Sequence, residues 1–130
     1  APLVALGNGS NGHVVRWDGA AWSAQGGPLA ALAGYGALSP ALAVDGAGRL
    51  LAAFDVNDGY VNRFYVSALE GDAWLEIAPT PSTPGWLAWS IDLELDPSGL
   101  AVVAFCEQRI VSPGPPSVSE LRCAVRREIP

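Results

Sequence analysis

The feature that most constrains this chain is an internal repeat with a spacing of about 51 residues. The segment Gly34–Asp45, GYGALSPALAVD, aligns without a gap with Gly85–Asp96, GWLAWSIDLELD, and the apolar runs that follow align at the same offset. The first part of the chain joins through its second half, since VRWDGAAWSAQG at Val15–Gly26 aligns with SALEGDAWLEIA at Ser67–Ala78. Repeated units stack on one another and share cores, so we expect an array of similar units.

Each full unit carries four strand signals and no sustained helical period. Leu42 and Val44 alternate with Ala41 and Ala43, which is the period-2 pattern of a strand with one more apolar face. The unbroken apolar run Leu50–Phe54 is expected of a strand that is covered on both faces. In the middle unit the predicted strands are Ala41–Val44, Leu50–Val56, Phe64–Leu69 and Trp74–Ala78. We therefore expect an all-β fold of four-stranded antiparallel blades, as in a β-propeller; the alternative is a ten-stranded β-sandwich.

Two short motifs support this interpretation. PALAVDGAG at Pro40–Gly48 and VVRWDGAAW at Val14–Trp22 resemble the repeats of secreted bacterial β-propellers and, distantly, the Asp-box repeats of sialidase-like propellers. The Asp-box form Ser-x-Asp-x-Gly-x-x-Trp is matched only in part, because Ala43 stands at the Ser position and no Trp follows closely. The resemblance therefore implies a propeller fold and carries little about activity.

The repeat divides the chain into about two and a half blades of a single propeller fragment over 1–130. These are a partial unit over 1–27, a complete unit over 34–78 and a partial unit over 85–130. A full propeller takes about 4–8 blades, because a lone blade cannot bury both of its faces. We expect the ring to be completed by further blades of a longer chain or by a homo-oligomer.

The composition argues against two kinds of partner. All seven basic residues are Arg, thirteen residues are acidic and the formal net charge is −6. No basic cluster is long enough to follow a phosphate backbone, so we expect no nucleic-acid partner. No run approaches the roughly 20 apolar residues of a membrane-spanning helix, so we expect no membrane span.

The two cysteines are informative as a pair. The repeat alignment places Cys106 at the end of a second strand and Cys123 near the start of the third, facing each other across a ladder. A disulfide is therefore predicted, and two unrelated buried thiols are the alternative. A bridge implies an oxidising compartment, so we expect a secreted or cell-surface protein.

The long connections, which include the Pro- and Ser-rich segment Gln108–Glu120, share one face of a propeller, here called the long-loop face, and binding residues usually lie on such loops. Tyr35 and Trp86 match in the repeat there, and Trp89 follows in the last unit alone. These rings suit stacking against sugars, although they could equally fill the gap between neighbouring blades. Trp22 and Trp74 recur in outer strands, where packing between blades is expected. The predicted ligand-binding residues are Tyr35, Trp86, Trp89, Asn57, Asp58 and Tyr60.

The sequence offers little for catalysis or metal binding. His13 is the only histidine, and packing at a strand end is the simpler interpretation. Asp55–Gly59 has the oxygen-rich composition of a calcium loop, but a plain hairpin loop explains it as well. Asp45 and Asp96 recur at the same turn, where we expect them to cap backbone amides. We predict no catalytic residue, no metal and no cofactor.

We therefore expect a non-catalytic extracellular binding propeller with lectin-like carbohydrate recognition on the long-loop face. One alternative is a structural or protein-adhesion propeller module, and another is a fragment of a sialidase-type glycoside hydrolase. Binding is preferred because the chain has one histidine, and its candidate Ser and Asp residues recur at matching positions of the repeat, as structural residues do. These residues cannot supply a nucleophile and its base. The expected partner is a glycan or an extracellular protein.

Overall fold

The computed structural model describes residues 1–7, 12–29, 37–57, 62–78, 83 and 85–127, which contain ten strands and no helix. The strands are β1 (Leu3–Gly7), β2 (Gly12–Trp17), β3 (Trp22–Ala24), β4 (Ala37–Val44), β5 (Leu50–Asn57), β6 (Asn62–Glu70), β7 (Ala73–Ala78), β8 (Leu87–Leu95), β9 (Ala101–Ser112) and β10 (Val118–Arg127). The predicted all-β class is confirmed.

The strands form three antiparallel sheets, each made of consecutive strands. Sheet 1 has the order β1-β2-β3, sheet 2 the order β4-β5-β6-β7 and sheet 3 the order β8-β9-β10. Leu42 and Leu93, which match in the repeat, lie in β4 and β8 and therefore in different sheets. The two aligned segments thus lie in separate sheets, and the described residues form three sheets where a β-sandwich has two.

The strand predictions were accurate except near the end of the chain. The four strands of the middle unit are confirmed, each with an extension of one to four residues. The Pro- and Ser-rich segment 108–120 was expected to be a loop, and this prediction was wrong. β9 continues to Ser112 and β10 begins at Val118. The hairpin extends because β-branched residues such as Ile110 pair well across it and Arg109 forms a salt bridge with Glu120, at 2.8 Å.

The sheets stack through two apolar cores. Between sheets 2 and 3, Phe64 and Phe105 lie with ring centroids 5.2 Å apart, and the surrounding residues are almost fully buried. Between sheets 1 and 2, Val14 and Leu29 pack against Leu50, Ala52, Phe54 and Val56. The predicted continuous apolar run is explained, since β5 contributes buried residues to both cores.

The tight turns that precede β5 and β9 are closed in the same way. The Oδ1 of Asp45 accepts hydrogen bonds from the backbone N–H groups of Ala47 and Arg49, at 3.0 and 2.8 Å. The Oδ1 of Asp96 accepts the equivalent pair from Ser98 and Leu100, at 2.8 and 3.0 Å. The predicted capping role of both carboxylates is confirmed, and it explains why Asp recurs at this position.

The predicted disulfide between Cys106 and Cys123 is present. The two residues are direct neighbours in the β9–β10 ladder, with their Cα atoms 4.0 Å apart. The bridge cross-links β9 to β10 inside the three-stranded part of sheet 3, two residues before β9 passes the last residue that pairs with β8.

Candidate functional site

The structure places two of the predicted ligand-binding residues at one end of sheet 3. Trp86 precedes β8 and Trp89 lies near its start, beside the projecting part of the β9–β10 hairpin. Asn57 ends β5, where its backbone pairs with Asn62. Tyr35, Asp58 and Tyr60 lie outside the described residues. The two tryptophans are therefore the part of the predicted site that the structure defines.

The hairpin separates these tryptophans because alternate residues of a strand point to opposite faces. One face carries charged residues, and Trp86 contacts the guanidinium groups on that side. The other face continues the exposed side of sheet 3, and Trp89 lies there beside Gln108. The charged face comprises Glu107, Arg109, Glu120 and Arg122, and the other comprises Cys106, Gln108, Ile110, Ser119, Leu121 and Cys123.

Trp86 is buried, with only 8% of its surface exposed. The guanidinium carbon of Arg122 lies 4.1 Å from the ring centroid and that of Arg109 lies 5.1 Å from it. Both distances are within the range of a cation–π interaction. The indole is thus occupied by protein groups, and in this arrangement it presents no free face to a ligand.

Beneath the arginines lies a buried carboxylate that the sequence reasoning missed. Glu107 accepts hydrogen bonds from the Thr83 backbone N–H at 2.6 Å and from Arg122 Nε and Nη2 at 3.1 and 2.8 Å. Arg122 also donates to the Thr83 hydroxyl. Burial alone would raise the pKa of Glu107, but the hydrogen bonds from Thr83 and Arg122 outweigh it and the pKa is lowered. The carboxylate is held ionised by groups that also hold Trp86 in place.

A period-2 signal could have located Glu107. Ala101, Val103 and Phe105 alternate toward the core, and Glu107 is the next residue in that series. An acid at an inward position requires a partner, and Arg122 is the residue directly opposite in the ladder. Arg122 could not be identified as this partner from the sequence, because a loop over 108–120 does not define which residues of β9 and β10 pair.

Trp89 is placed differently, since 61% of its surface is exposed. Its indole N–H donates a hydrogen bond to the Oε1 of Gln108, which fixes the ring beside the hairpin. A shallow open groove is lined by Trp89, Cys106, Gln108, Ser119 and Leu121. The groove therefore combines an accessible aromatic ring and an aliphatic wall with an amide and a hydroxyl that can form hydrogen bonds.

The remaining candidates fall into structural roles or outside the described residues. Trp74 packs between sheets 1 and 2 and donates its indole N–H to the Gln25 carbonyl at 3.0 Å, which confirms the predicted interblade role. His13 pairs with Leu6 in the β1–β2 ladder. Of the calcium-like segment, Asp55 is buried in β5, whereas residues 58 and 59 are not described.

Within the described ranges, no group of three or more His, Cys, Asp or Glu side chains is arranged to hold a metal ion. Nor does that part of the chain form a helix long and apolar enough to cross a membrane. Comparison of the chain with protein-family models, with curated proteins and with solved structures found no match. Function is therefore inferred from the geometry of the site alone.

Proposed function

We propose that the chain is a non-catalytic, extracellular carbohydrate-binding module in which the Trp89 groove of sheet 3 holds a sugar ring. The observation that supports this proposal is an exposed indole, fixed by Gln108, beside a hydroxyl and an amide in one groove. A sugar ring has C–H groups that stack on an aromatic face and hydroxyl groups that pair with polar side chains. The groove offers both kinds of contact.

The proposed site is smaller than the site predicted from the sequence. Trp86 is covered by Arg109 and Arg122, so its role here is to support the hairpin. Trp89 supplies the stacking surface, and Gln108 and Ser119 supply hydrogen bonds to hydroxyl groups. Contributions from Tyr35, Asp58 and Tyr60 remain a prediction.

We propose that the module is part of a β-propeller. Support comes from three consecutive antiparallel meanders that stack face to face in chain order. The four strands of sheet 2 match the number in a propeller blade. The disulfide supports an extracellular location, since such bonds persist in oxidising compartments.

Glycan-array screening of the chain, followed by calorimetric titration of the best ligand, tests the proposal. Trp89→Ala should weaken binding by about tenfold or more, because it removes the stacking ring. Gln108→Ala should weaken binding less, since it removes the amide and leaves the indole in place. Trp86→Ala is a poor test, because it removes a buried side chain and would disturb the hairpin itself.

Trp22→Ala provides the matched control. Trp22 is similarly exposed, at 51%, but lies in sheet 1, outside the groove. Its replacement should leave glycan affinity unchanged if the groove is the binding site. The proposal fails if no glycan binds, or if the Trp89 and Trp22 variants bind as tightly as the parent chain.

A further inference from the structure

Among the described residues, neighbouring sheets cover both faces of sheet 2 but only one face each of sheets 1 and 3. The uncovered face of sheet 3, here called the trailing face, carries Val102, Ala104, Val125 and the disulfide on β9 and β10, and Asp92 and Glu94 on β8. It is apolar at its centre, and Val125 is 70% exposed. The chain therefore presents a sheet face of the kind that proteins usually cover.

The repeat shows what covers such a face. The three aliphatic residues of the trailing face occupy the positions that Leu51, Ala53 and Val66 occupy in sheet 2. Those three residues are at most 1% exposed, because sheet 3 packs on them. The trailing face is thus the counterpart of a face that the next sheet buries.

The uncovered face of sheet 1, here called the leading face, carries the complementary pattern. Leu6 opposes His13 as Phe54 opposes Tyr65 in sheet 2, so Leu6 has the position of a core residue. It is nevertheless 51% exposed. The paired Trp17 and Trp22 have the positions of Leu69 and Trp74, which in sheet 2 pack against sheet 1.

The two interfaces inside the chain are the same interface one repeat apart. The residues that sheet 2 turns toward sheet 1 are Leu50, Ala52 and Phe54, and the residues that sheet 3 turns toward sheet 2 are their repeat equivalents. Those equivalents are Ala101, Val103 and Phe105. In both cases a leading-type face meets a trailing-type face, and the chain carries one unused example of each.

We infer that the leading face of one copy of this chain docks on the trailing face of a second copy. A contact between two different faces is heterologous, and two such contacts close two copies into a ring. Three sheets from each copy give a ring of six sheets, which lies within the range of about 4–8 found in propellers. In this arrangement a second copy of the chain occupies each uncovered face.

Charge sets the conditions for this association. Asp92 and Glu94 are exposed on the β8 part of the trailing face, directly opposite Ala104 and Val102, where sheet 2 has alanines. Each copy also carries a net charge of −6. Repulsion between copies is screened by salt, so the dimer should tighten as ionic strength rises.

Sedimentation equilibrium of the purified chain tests the inference. The parent chain should reach twice its 13.4 kDa mass. Leu6→Arg on the leading face and Val125→Glu on the trailing face should each give a monomer, because each introduces a charge into an apolar contact. An equimolar mixture of the two variants should recover the dimer, since one contact is then unaltered and the other pairs Arg with Glu.

Val111→Glu is the matched control, because Val111 is an exposed valine on the projecting hairpin outside both faces; this variant should remain dimeric. Circular dichroism of each variant shows that loss of the dimer is not loss of folding. The inference is overturned if the parent chain remains a monomer up to millimolar concentration in high salt. It is also overturned if either folded variant stays dimeric, since a contact between like faces would spare one of them. A mixture that stays monomeric overturns it too, because one unaltered contact and one Arg–Glu contact should restore the dimer.

Discussion

At the scale of single residues, two buried carboxyl groups show how a neighbour decides protonation. Glu107 is paired with Arg122 and stays ionised. Asp55 is 4% exposed, and its Oδ1 has no hydrogen-bond partner in the described part of the chain. Burial without a cation disfavours the charged form, so the pKa of Asp55 rises from 3.8 to about 6.

Asp55 therefore makes stability depend on pH. The pKa of Asp55 is higher in the folded state than in the unfolded state, so the folded state binds a proton at Asp55 more tightly. The stability gained from this proton is fully present below pH 3.8. The contribution is lost as the pH rises through about 6, and the loss is about 3 kcal/mol in the free energy of unfolding. Asp55→Asn cannot ionise, so the fall in stability between those two values should disappear.

Urea unfolding of the parent and the variant across this pH range measures the effect. Asp92→Asn serves as the control, because Asp92 is exposed on β8 and its replacement should leave the slope unchanged. An Asp55→Asn variant whose stability falls with pH as steeply as that of the parent would contradict this account of the Asp55 carboxyl.

At the scale of elements, the β9–β10 hairpin depends on the disulfide. Beyond the cysteines, the hairpin is held by its own ladder, by the Arg109–Glu120 salt bridge and by the Trp86 contacts. The salt bridge is half-exposed, and such pairs contribute little to stability. Linking Cys106 to Cys123 restricts the unfolded chain and thereby stabilises the folded hairpin.

Replacing both cysteines with serine should lower the free energy of unfolding by about 3 kcal/mol. The change should be visible as a lower urea midpoint, because the cross-linked loop of the unfolded chain gains entropy when the bridge is removed. Dithiothreitol should shift the parent chain toward the variant and leave the variant itself unaffected. A parent chain whose midpoint is insensitive to full reduction would show that the bridge does not stabilise the fold.

The same hairpin marks the boundary of what the sequence could predict. The period-2 pattern of apolar residues was enough to predict the strands. The repeat alignment was enough to predict how the strands divide into sheets and which cysteines pair. The extension of β9 past Gln108 depends on pairing with Glu120 and Leu121, and a Pro- and Ser-rich composition hides that pairing. Likewise, the repeat predicted where Trp86 and Trp89 lie, but their opposite exposures depend on which face of the hairpin each one contacts.

At the scale of the whole molecule, each apolar core is formed by residues of two neighbouring sheets. Every residue of the core between sheets 2 and 3 is buried by the other sheet, and β5 also contributes to the core with sheet 1. A three- or four-stranded sheet alone would leave one apolar face in water. The three sheets should therefore unfold together, in a single transition.

Val103→Ala tests this coupling from within sheet 3. Val103 is fully buried against sheet 2, so its truncation should lower the free energy of unfolding by about 2 kcal/mol through lost burial and the cavity that remains. Val111→Ala, in the same strand but 53% exposed, should change it by less than about 0.5 kcal/mol. Far-ultraviolet circular dichroism reports on the backbone of all three sheets, and tryptophan fluorescence reports on side-chain packing around Trp17 and Trp22 in sheet 1, Trp74 in sheet 2, and Trp86 and Trp89 at the start of sheet 3. The two signals should give the same lowered midpoint for Val103→Ala, because the loss in sheet 3 is transmitted through sheet 2. Separate transitions by the two probes would mean that the sheets unfold independently and that the shared cores do not couple them.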